Sequence, residues 1–272
     1  MKIRPPSSIA LMLVLTVGGC IAPSKVSRKL PENHSLVREQ LVIHSDFPLA
    51  AQHRLLEDLT ARRFDLARRL AMPLSDEPIH VYLFQDADRF YAFMGWHHPE
   101  FPRRRAFFVE TDTRLVVYAY WGDRVSEDLR HEITHAYLHS VVPNVPLWLD
   151  EGLAEYFEVP RGRDGMHRAH CERLAARLRQ GDWQPDLRRL EQFNSAFEMD
   201  QDDYAESWAW VHFLLGSDAR YAELLQGYLG DLRRNGAAEP VSWRIGRTPN
   251  RVEEALVRHV EGLFPHMAGR VP

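Results

Sequence analysis

The spacing of apolar residues divides the chain into a first half with strand-like patterns and a second half with helical patterns. In the first half, leucines and Phe64 recur every three or four residues over 49–72, which predicts an amphipathic helix that Pro73 ends. A second helix is predicted over 86–96, with Asp86 as its N-cap. Runs rich in β-branched and aromatic residues predict strands at 41–47, 79–84, 105–110 and 114–122. The last two runs flank the polar Thr-Asp-Thr of 111–113, as in a hairpin.

From Ser126 onward the pattern is almost entirely helical. Helices are predicted at 126–142, 147–159, 167–180, 204–216, 220–234 and 248–264. A sheet-bearing part followed by a helical part is typical of the α+β class. We therefore expect a small mixed sheet with an edge hairpin in the N-terminal half and a helical C-terminal half. These would be two lobes, 41–125 and 126–272, of one domain.

The N-terminus has the pattern of an export signal. A positive segment, MKIRPPSS, precedes the apolar run IALMLVLTV and then VGGC. The run is too short to span a bilayer but fits the apolar core of a signal peptide. VGGC resembles the bacterial lipobox, which implies a lipoprotein signal over 1–19 and lipidation of Cys20. A general signal peptide with an incidental cysteine is the alternative.

The lipobox resemblance also implies a location. Ile21 follows the cysteine where an inner-membrane retention signal would have Asp. The expected location is the outer membrane, facing the periplasm, or the cell surface. Residues 20–40 are polar and without periodicity, which indicates a tether between the lipid anchor and the domain.

Composition adds two restrictions. The formal net charge is −4 and no basic stripe is present, so nucleic acid is not an expected partner. Besides Cys20 the chain has only Cys171, which cannot form an internal disulfide and is expected to be a small buried apolar residue.

The candidate chemistry lies in LRHEITHAYLH (129–139). His131 and His135 are four residues apart, so on a helix they share a face and can direct ring nitrogens at one metal ion. Glu132 lies one residue further around the helix, where its carboxylate can take a proton from a metal-bound water. A helix that carries the pattern by chance is the alternative, because the chain has 14 histidines.

A third ligand is expected from the next helix, PLWLDEGLAEYFEV (146–159), which follows a turn at Pro143 and Pro146. Glu151 and Glu155 share one face of that helix, and Asp150 is expected to point away from it. A strictly antiparallel return would bring Glu155 level with His135, whereas a steeply crossed pair would favour Glu151. Spacing alone leaves both glutamates open.

HEITH followed by WLDEGLAEY resembles the gluzincin zinc metallopeptidases, particularly the aminopeptidase-N-like and peptidase-MA-like catalytic domains. The resemblance covers 128–158. It implies a two-helix zinc site between the lobes, with Glu151 as the third ligand and Glu155 as the carboxylate that supports a ligand histidine. It also implies one Zn²⁺ per chain, with Glu132 activating the bound water to hydrolyse a peptide bond.

Other parts of the resemblance concern the substrate. Gluzincins place a Tyr or His of a later helix against the oxyanion; Tyr204 and His212 are the candidates here, and Tyr204 is preferred. The Gly-x-Met-Glu-Asn segment that holds a free amino group in aminopeptidases is absent, which favours an endopeptidase. Strand 114–120 is either a substrate-binding sheet edge or an interior strand.

The remaining histidines receive no metal role from the sequence. His139 is interpreted as a surface residue or as support for a ligand, and His97, His98, His167 and His170 are interpreted as solvated. Two alternatives to a peptidase remain: a non-catalytic metal-binding scaffold of the cell envelope and a hydrolase of non-peptide substrates that uses the same zinc site.

Overall fold

The computed structural model describes residues 27–246 and 251–268, with side chains described up to 263. The five strands are β1 (His34–Arg38), β2 (Leu41–Ser45), β3 (Ile79–Phe84), β4 (Ala106–Thr111) and β5 (Arg114–Tyr120). The first five helices are α1 (Arg54–Arg69), α2 (Ala87–His97), α3 (Val125–His139), α4 (Leu147–Glu158) and α5 (Arg168–Gln180). The last five are α6 (Leu187–Leu190), α7 (Gln201–Gly216), α8 (Ala219–Asn235), α9 (Val241–Ile245) and α10 (Val252–Ala268).

The strands form one mixed sheet in the order β1-β2-β3-β5-β4. The three central strands run parallel, and β1 and β4 pair antiparallel at the two edges. The sheet lies in the N-terminal half and the C-terminal half is helical, so the predicted α+β class is confirmed. The hairpin β4–β5 lies at a sheet edge, as predicted, with Thr111 opposite Arg114 across its turn.

Side chains alternate between the two faces of the sheet, as the strand period requires. On one face, Val81, Leu83 and Val117 belong to the main core, which also contains buried residues of α1 and α3. On the other face, Tyr82 and Phe84 pack with Phe90 and Phe93 of α2. The main core continues through α4, α7 and α8, which joins the sheet to the helical half.

Local sequence explains most helix ends. Asp86 accepts a hydrogen bond from the Arg89 N–H at the start of α2, as predicted. Asp200 and Asp203 form a capping box at the start of α7. Gly181 and Gly236 end α5 and α8 in the left-handed conformation that glycine adopts at low cost.

One sequence prediction needs correction, and one open alternative is decided. Residues 34–38, within the predicted tether of 20–40, form strand β1, so the folded domain begins earlier than expected. Strand β5 (114–120) is interior, between β3 and β4, and the edge of the sheet on this side is β4. The predicted signal peptide (1–19) and Cys20 lie outside the described residues. Within the described ranges, no helix is both long and apolar enough to cross a membrane.

Candidate metal centre

The candidate site lies where α3 and α4 meet, beside edge strand β4. His131 and His135 are one turn apart on α3, and Glu151 is in the first turns of α4. Glu151 Oε2 lies 3.5 Å from His131 Nε2 and 3.8 Å from His135 Nε2. The structure therefore brings Glu151 close to both motif histidines.

Glu151 Oε2 is buried and has no hydrogen-bond partner among the described residues. Its distances from the two imidazoles exceed those of good hydrogen bonds. Two ligand atoms that share a tetrahedral zinc ion at about 2.0–2.2 Å lie roughly 3.3 Å apart. The three atoms are therefore spaced to share an ion, and a metal ion would satisfy the buried oxygen.

A carboxylate lies beside the Nδ1 atom of each histidine, and each Nε2 atom faces Glu151. Glu158 Oε2 lies 2.9 Å from His131 Nδ1, and Asp150 Oδ1 lies 2.8 Å from His135 Nδ1. Such partners orient metal-binding imidazoles and increase their basicity. The sequence did not predict either contact, and Asp150 does not point away from the site as expected.

Among the described residues, no hydrogen bond joins Glu155 to either motif histidine, so the supporting role that the resemblance assigns to it stays a prediction. Glu155 Oε2 instead contacts His170 Nε2 at 2.8 Å. Glu151, Glu155 and Glu158 are spaced i, i+4 and i+7 on α4 and so share one face of the helix. The i, i+7 spacing from Glu151 could have indicated Glu158 in the sequence. It could not indicate which residue Glu158 contacts.

The carboxylates around the site favour a positive charge in the space between the three ligand atoms. Burial by itself would lower the pKa of His131, but contacts with Glu151 and Glu158 raise it well above its ordinary value. Burial likewise opposes the rise at His135, where Asp150 raises the pKa. A metal ion must displace these ring protons, so its affinity falls at low pH.

Glu132 lies on α3 between the sheet edge and the cavity. Its Oε2 accepts a hydrogen bond of 2.7 Å from the backbone N–H of Phe108 in β4. Burial raises the pKa of Glu132, and the nearby His131 and His135 oppose that rise. A raised carboxyl pKa suits a group that takes up a proton and later releases it.

A cavity of about 850 Å³ opens beside these residues, lined by His131, Glu132 and Tyr204 among others. Tyr204 is in the first turn of α7, and its hydroxyl accepts a hydrogen bond of 3.2 Å from Arg104 Nη2. The hydroxyl proton is therefore free to donate to another acceptor. His212, the other candidate, pairs with His259 and does not line this cavity.

The other histidines differ in part from their interpretation. His139 supports the site indirectly, because its Nε2 lies 3.1 Å from Asp150 Oδ2. His170 is buried and His167 half-buried, so the solvated interpretation is wrong for both. His97 is exposed, as expected. Cys171 is buried, as predicted, and burial raises its pKa to about 11, which keeps the thiol protonated.

Taken together, three groups of His and Glu residues have the spacing to hold a metal ion among the described residues. They are His131, His135 and Glu151; Glu155, His167 and His170; and His131, Glu155 and Glu158.

A family profile described as "Protein of unknown function (DUF1570)" matches residues 127–234, from α3 to near the end of α8. No curated protein matches the chain significantly.

Proposed function

We propose that this protein is a zinc-dependent peptidase of the gluzincin type, with one catalytic zinc ion held by His131, His135 and Glu151. The observation that carries the proposal is the unpartnered, buried Glu151 Oε2 beside two imidazole Nε2 atoms, with Glu132 on the same helix. Two imidazoles and one carboxylate, with one position left for water, form a donor set typical of catalytic zinc.

Zinc, when bound, would lower the pKa of a coordinated water and polarise the scissile carbonyl. Glu132 would accept a proton from the attacking water and pass it to the leaving amine. Its hydrogen bond to Phe108 N–H holds the carboxylate beside the edge of the sheet. Glu132 is therefore placed between the ligand histidines and the strand that a peptide can approach.

Tyr204 would donate its hydroxyl hydrogen to the oxyanion that develops on the substrate carbonyl. Arg104 supports this role, because its guanidinium binds the phenolic oxygen and leaves the hydroxyl proton available. One such donor contributes on the order of 3 kcal/mol to transition-state stabilisation.

The proposed substrate is an extended peptide within a protein of the cell envelope, cleaved internally. β4 is the edge strand beside the site, so its backbone can pair with a peptide by strand addition. Attachment through lipidated Cys20, with the domain facing the periplasm or the cell surface, belongs to the same proposal.

The test compares full-length protein with Glu132→Gln, using zinc content and cleavage of a peptide library as readouts. Glu127→Gln, in the first turn of the same helix, is the matched control, because Glu127 is half-buried and pairs with Arg124 instead of a ligand histidine. We expect Glu132→Gln to retain zinc and to lose about 10²–10⁴-fold in cleavage rate, the range that general acid–base groups contribute. Glu127→Gln should retain both zinc and most of the activity.

Three results would contradict the proposal. Absence of stoichiometric zinc in the wild type would exclude the metal centre. Zinc with equal background turnover in wild type and Glu132→Gln would indicate the non-catalytic scaffold. Glu132-dependent turnover confined to non-peptide substrates would indicate a different hydrolase.

A further inference from the structure

A second cluster of ligating side chains lies in the same cavity, next to the candidate metal centre. It consists of Glu155 on α4, His167 at the N-cap of α5, and His170 in the first turn of α5. One possible ligand atom from each residue lies within 4.8 Å of those of the other two. All three residues line the 850 Å³ cavity.

One carboxylate oxygen faces both imidazoles of this cluster. Glu155 Oε2 lies 2.8 Å from His170 Nε2 and 3.5 Å from His167 Nε2. The two rings stack with their centroids 3.9 Å apart, and both contact the buried ring of Trp208. An apolar support behind a polar ligand group restricts solvent access, as around many protein metal sites.

Glu158 adds a second carboxylate and joins the cluster to the first site. Its Oε1 lies 2.9 Å from His167 Nε2, while its Oε2 contacts His131 Nδ1. One oxygen of Glu155 and one of Glu158 lie within 4.8 Å of each other. Two carboxylates this close and largely shielded from water repel each other unless positive charge lies between or beside them.

The six arginines that line the cavity all have other partners. Arg105 pairs with Asp128, Arg124 with Glu127, and both Arg173 and Arg177 with Asp202. Arg104 binds the Tyr204 hydroxyl, and Arg103 stacks over the ring of Tyr91. The positive charge must therefore come from protonated imidazoles or from a cation. Two imidazoles and a carboxylate, with a second carboxylate adjacent, are a donor set that zinc prefers.

We propose that Glu155, His167 and His170 form a second zinc site, distinct from the one at His131, His135 and Glu151. The inference does not rest on the peptidase activity. Without an ion, His167 Nδ1 accepts the His170 backbone N–H, so the ring proton is on Nε2 and is donated to Glu158. Binding at Nε2 moves that proton to Nδ1 and releases the cap hydrogen bond of α5.

The experiment measures zinc stoichiometry. Full-length protein is stripped with a chelator and titrated with zinc chloride, and bound zinc is counted by elemental analysis after dialysis. The variants are His135→Gln for the first site and His170→Gln for the second. If His170→Gln fails to fold, the nearly isosteric Glu155→Gln tests the second site in its place. The control is His44→Gln, because His44 contacts His80 across the sheet, outside both sites.

We expect two zinc ions in wild type and His44→Gln, and one in each of His135→Gln, His170→Gln and Glu155→Gln. One ion in the wild type that is lost in His135→Gln but kept in His170→Gln and Glu155→Gln would overturn the second site and leave the first intact. One ion with the opposite dependence would support the second site and overturn the proposed catalytic centre. No bound zinc would overturn both.

Discussion

Asp150 lies between His135 and His139, the last two histidines of α3. One of its oxygens lies 2.8 Å from His135 Nδ1, and the other lies 3.1 Å from His139 Nε2. Burial would raise the pKa of Asp150, but the two imidazoles hold it far below its usual range, so the carboxylate stays charged. A charged carboxylate beside Nδ1 favours a proton on that atom, which is the tautomer in which His135 Nε2 can bind a metal ion.

We predict that Asp150→Asn weakens zinc binding at the first site about 10–100-fold, the usual effect of removing such a partner. The measurement is competition for zinc against a chromophoric chelator. Glu110→Gln is the matched control, since Glu110 contacts His139 Nδ1 at 2.7 Å but touches neither ligand histidine. Equal affinities in Asp150→Asn and Glu110→Gln would contradict the positioning role.

Residue types and spacing predict two of the three ligands of the candidate metal site, but not the choice of the third ligand or the residues that support them. His131 and His135 follow from helix periodicity, and the choice of Glu151 over Glu155 came from the resemblance. Which carboxylates lie beside the Nδ1 atoms of His131 and His135 depends on how α4 crosses α3. The contact of Glu158 with His167 depends on where the chain enters α5. Glu158 and His167 are nine residues apart, and no local pattern indicates that they meet.

Gly152, directly after Glu151, shows why the second motif needs a glycine. A Cβ at this position would lie 2.6 Å from the backbone oxygen of Ser207 and 2.9 Å from Val211 Cγ2, both on α7. The backbone of a buried helix cannot move aside as a flexible side chain can. The glycine therefore allows α4, which carries Glu151, to lie closely against α7, which carries Tyr204.

We predict that Gly152→Ala destabilises the protein by about 1–3 kcal/mol through overpacking, although alanine favours helix. The measurement is thermal unfolding followed by circular dichroism. Gly227→Ala is the matched control, because Gly227 lies in the middle of α8 with nothing within 4 Å of its added Cβ. Relief of the helix penalty should stabilise that variant by about 1 kcal/mol.

The two substitutions should therefore shift the unfolding temperature in opposite directions. A rise in both variants would show that helix propensity outweighs the contact between α4 and α7. In that case the position of Glu151 would not depend on the glycine.

At the level of elements, periodicity predicted most helices and strands but not their neighbours. The run at 79–84 was predicted with the bounds that β3 has in the structure. Whether β5 was an edge or an interior strand depended on its pairing with β3, in which Leu115 lies opposite Ile79, 36 residues earlier in the sequence. Strand β1 was missed because its alternation is short and mostly exposed, so the pairing with β2 defines it.

Across the whole molecule, α10 returns to pack against α5 and α7, and a histidine pair lies at that contact. His212 Nδ1 of α7 and His259 Nε2 of α10 are 2.8 Å apart. Burial and the neighbouring His259 lower the pKa of His212 to about 3, and burial also lowers the pKa of His259. Burial and the closeness of the two rings therefore disfavour a positive charge on either imidazole.

This pair makes the stability of the fold depend on pH. The folded state keeps His212 neutral until its pKa of about 3, whereas the unfolded chain takes up a proton near pH 6.5. The unfolded state therefore binds more protons between these values, and stability is lost as the pH falls. For His212 alone the loss between pH 7 and pH 5 is about 2 kcal/mol.

We predict that His212→Gln unfolds more easily than wild type at pH 7 but loses less stability on acidification to pH 5. The measurement is urea unfolding at both pH values, after treatment with a chelator so that metal release does not contribute. His34→Gln, at an exposed position in β1, should show the same pH dependence as wild type. An unchanged difference between pH 7 and pH 5 in His212→Gln would mean that the pair is not the source of the acid sensitivity. The contact between α7 and α10 would then depend on apolar packing, in which Val260 is fully buried.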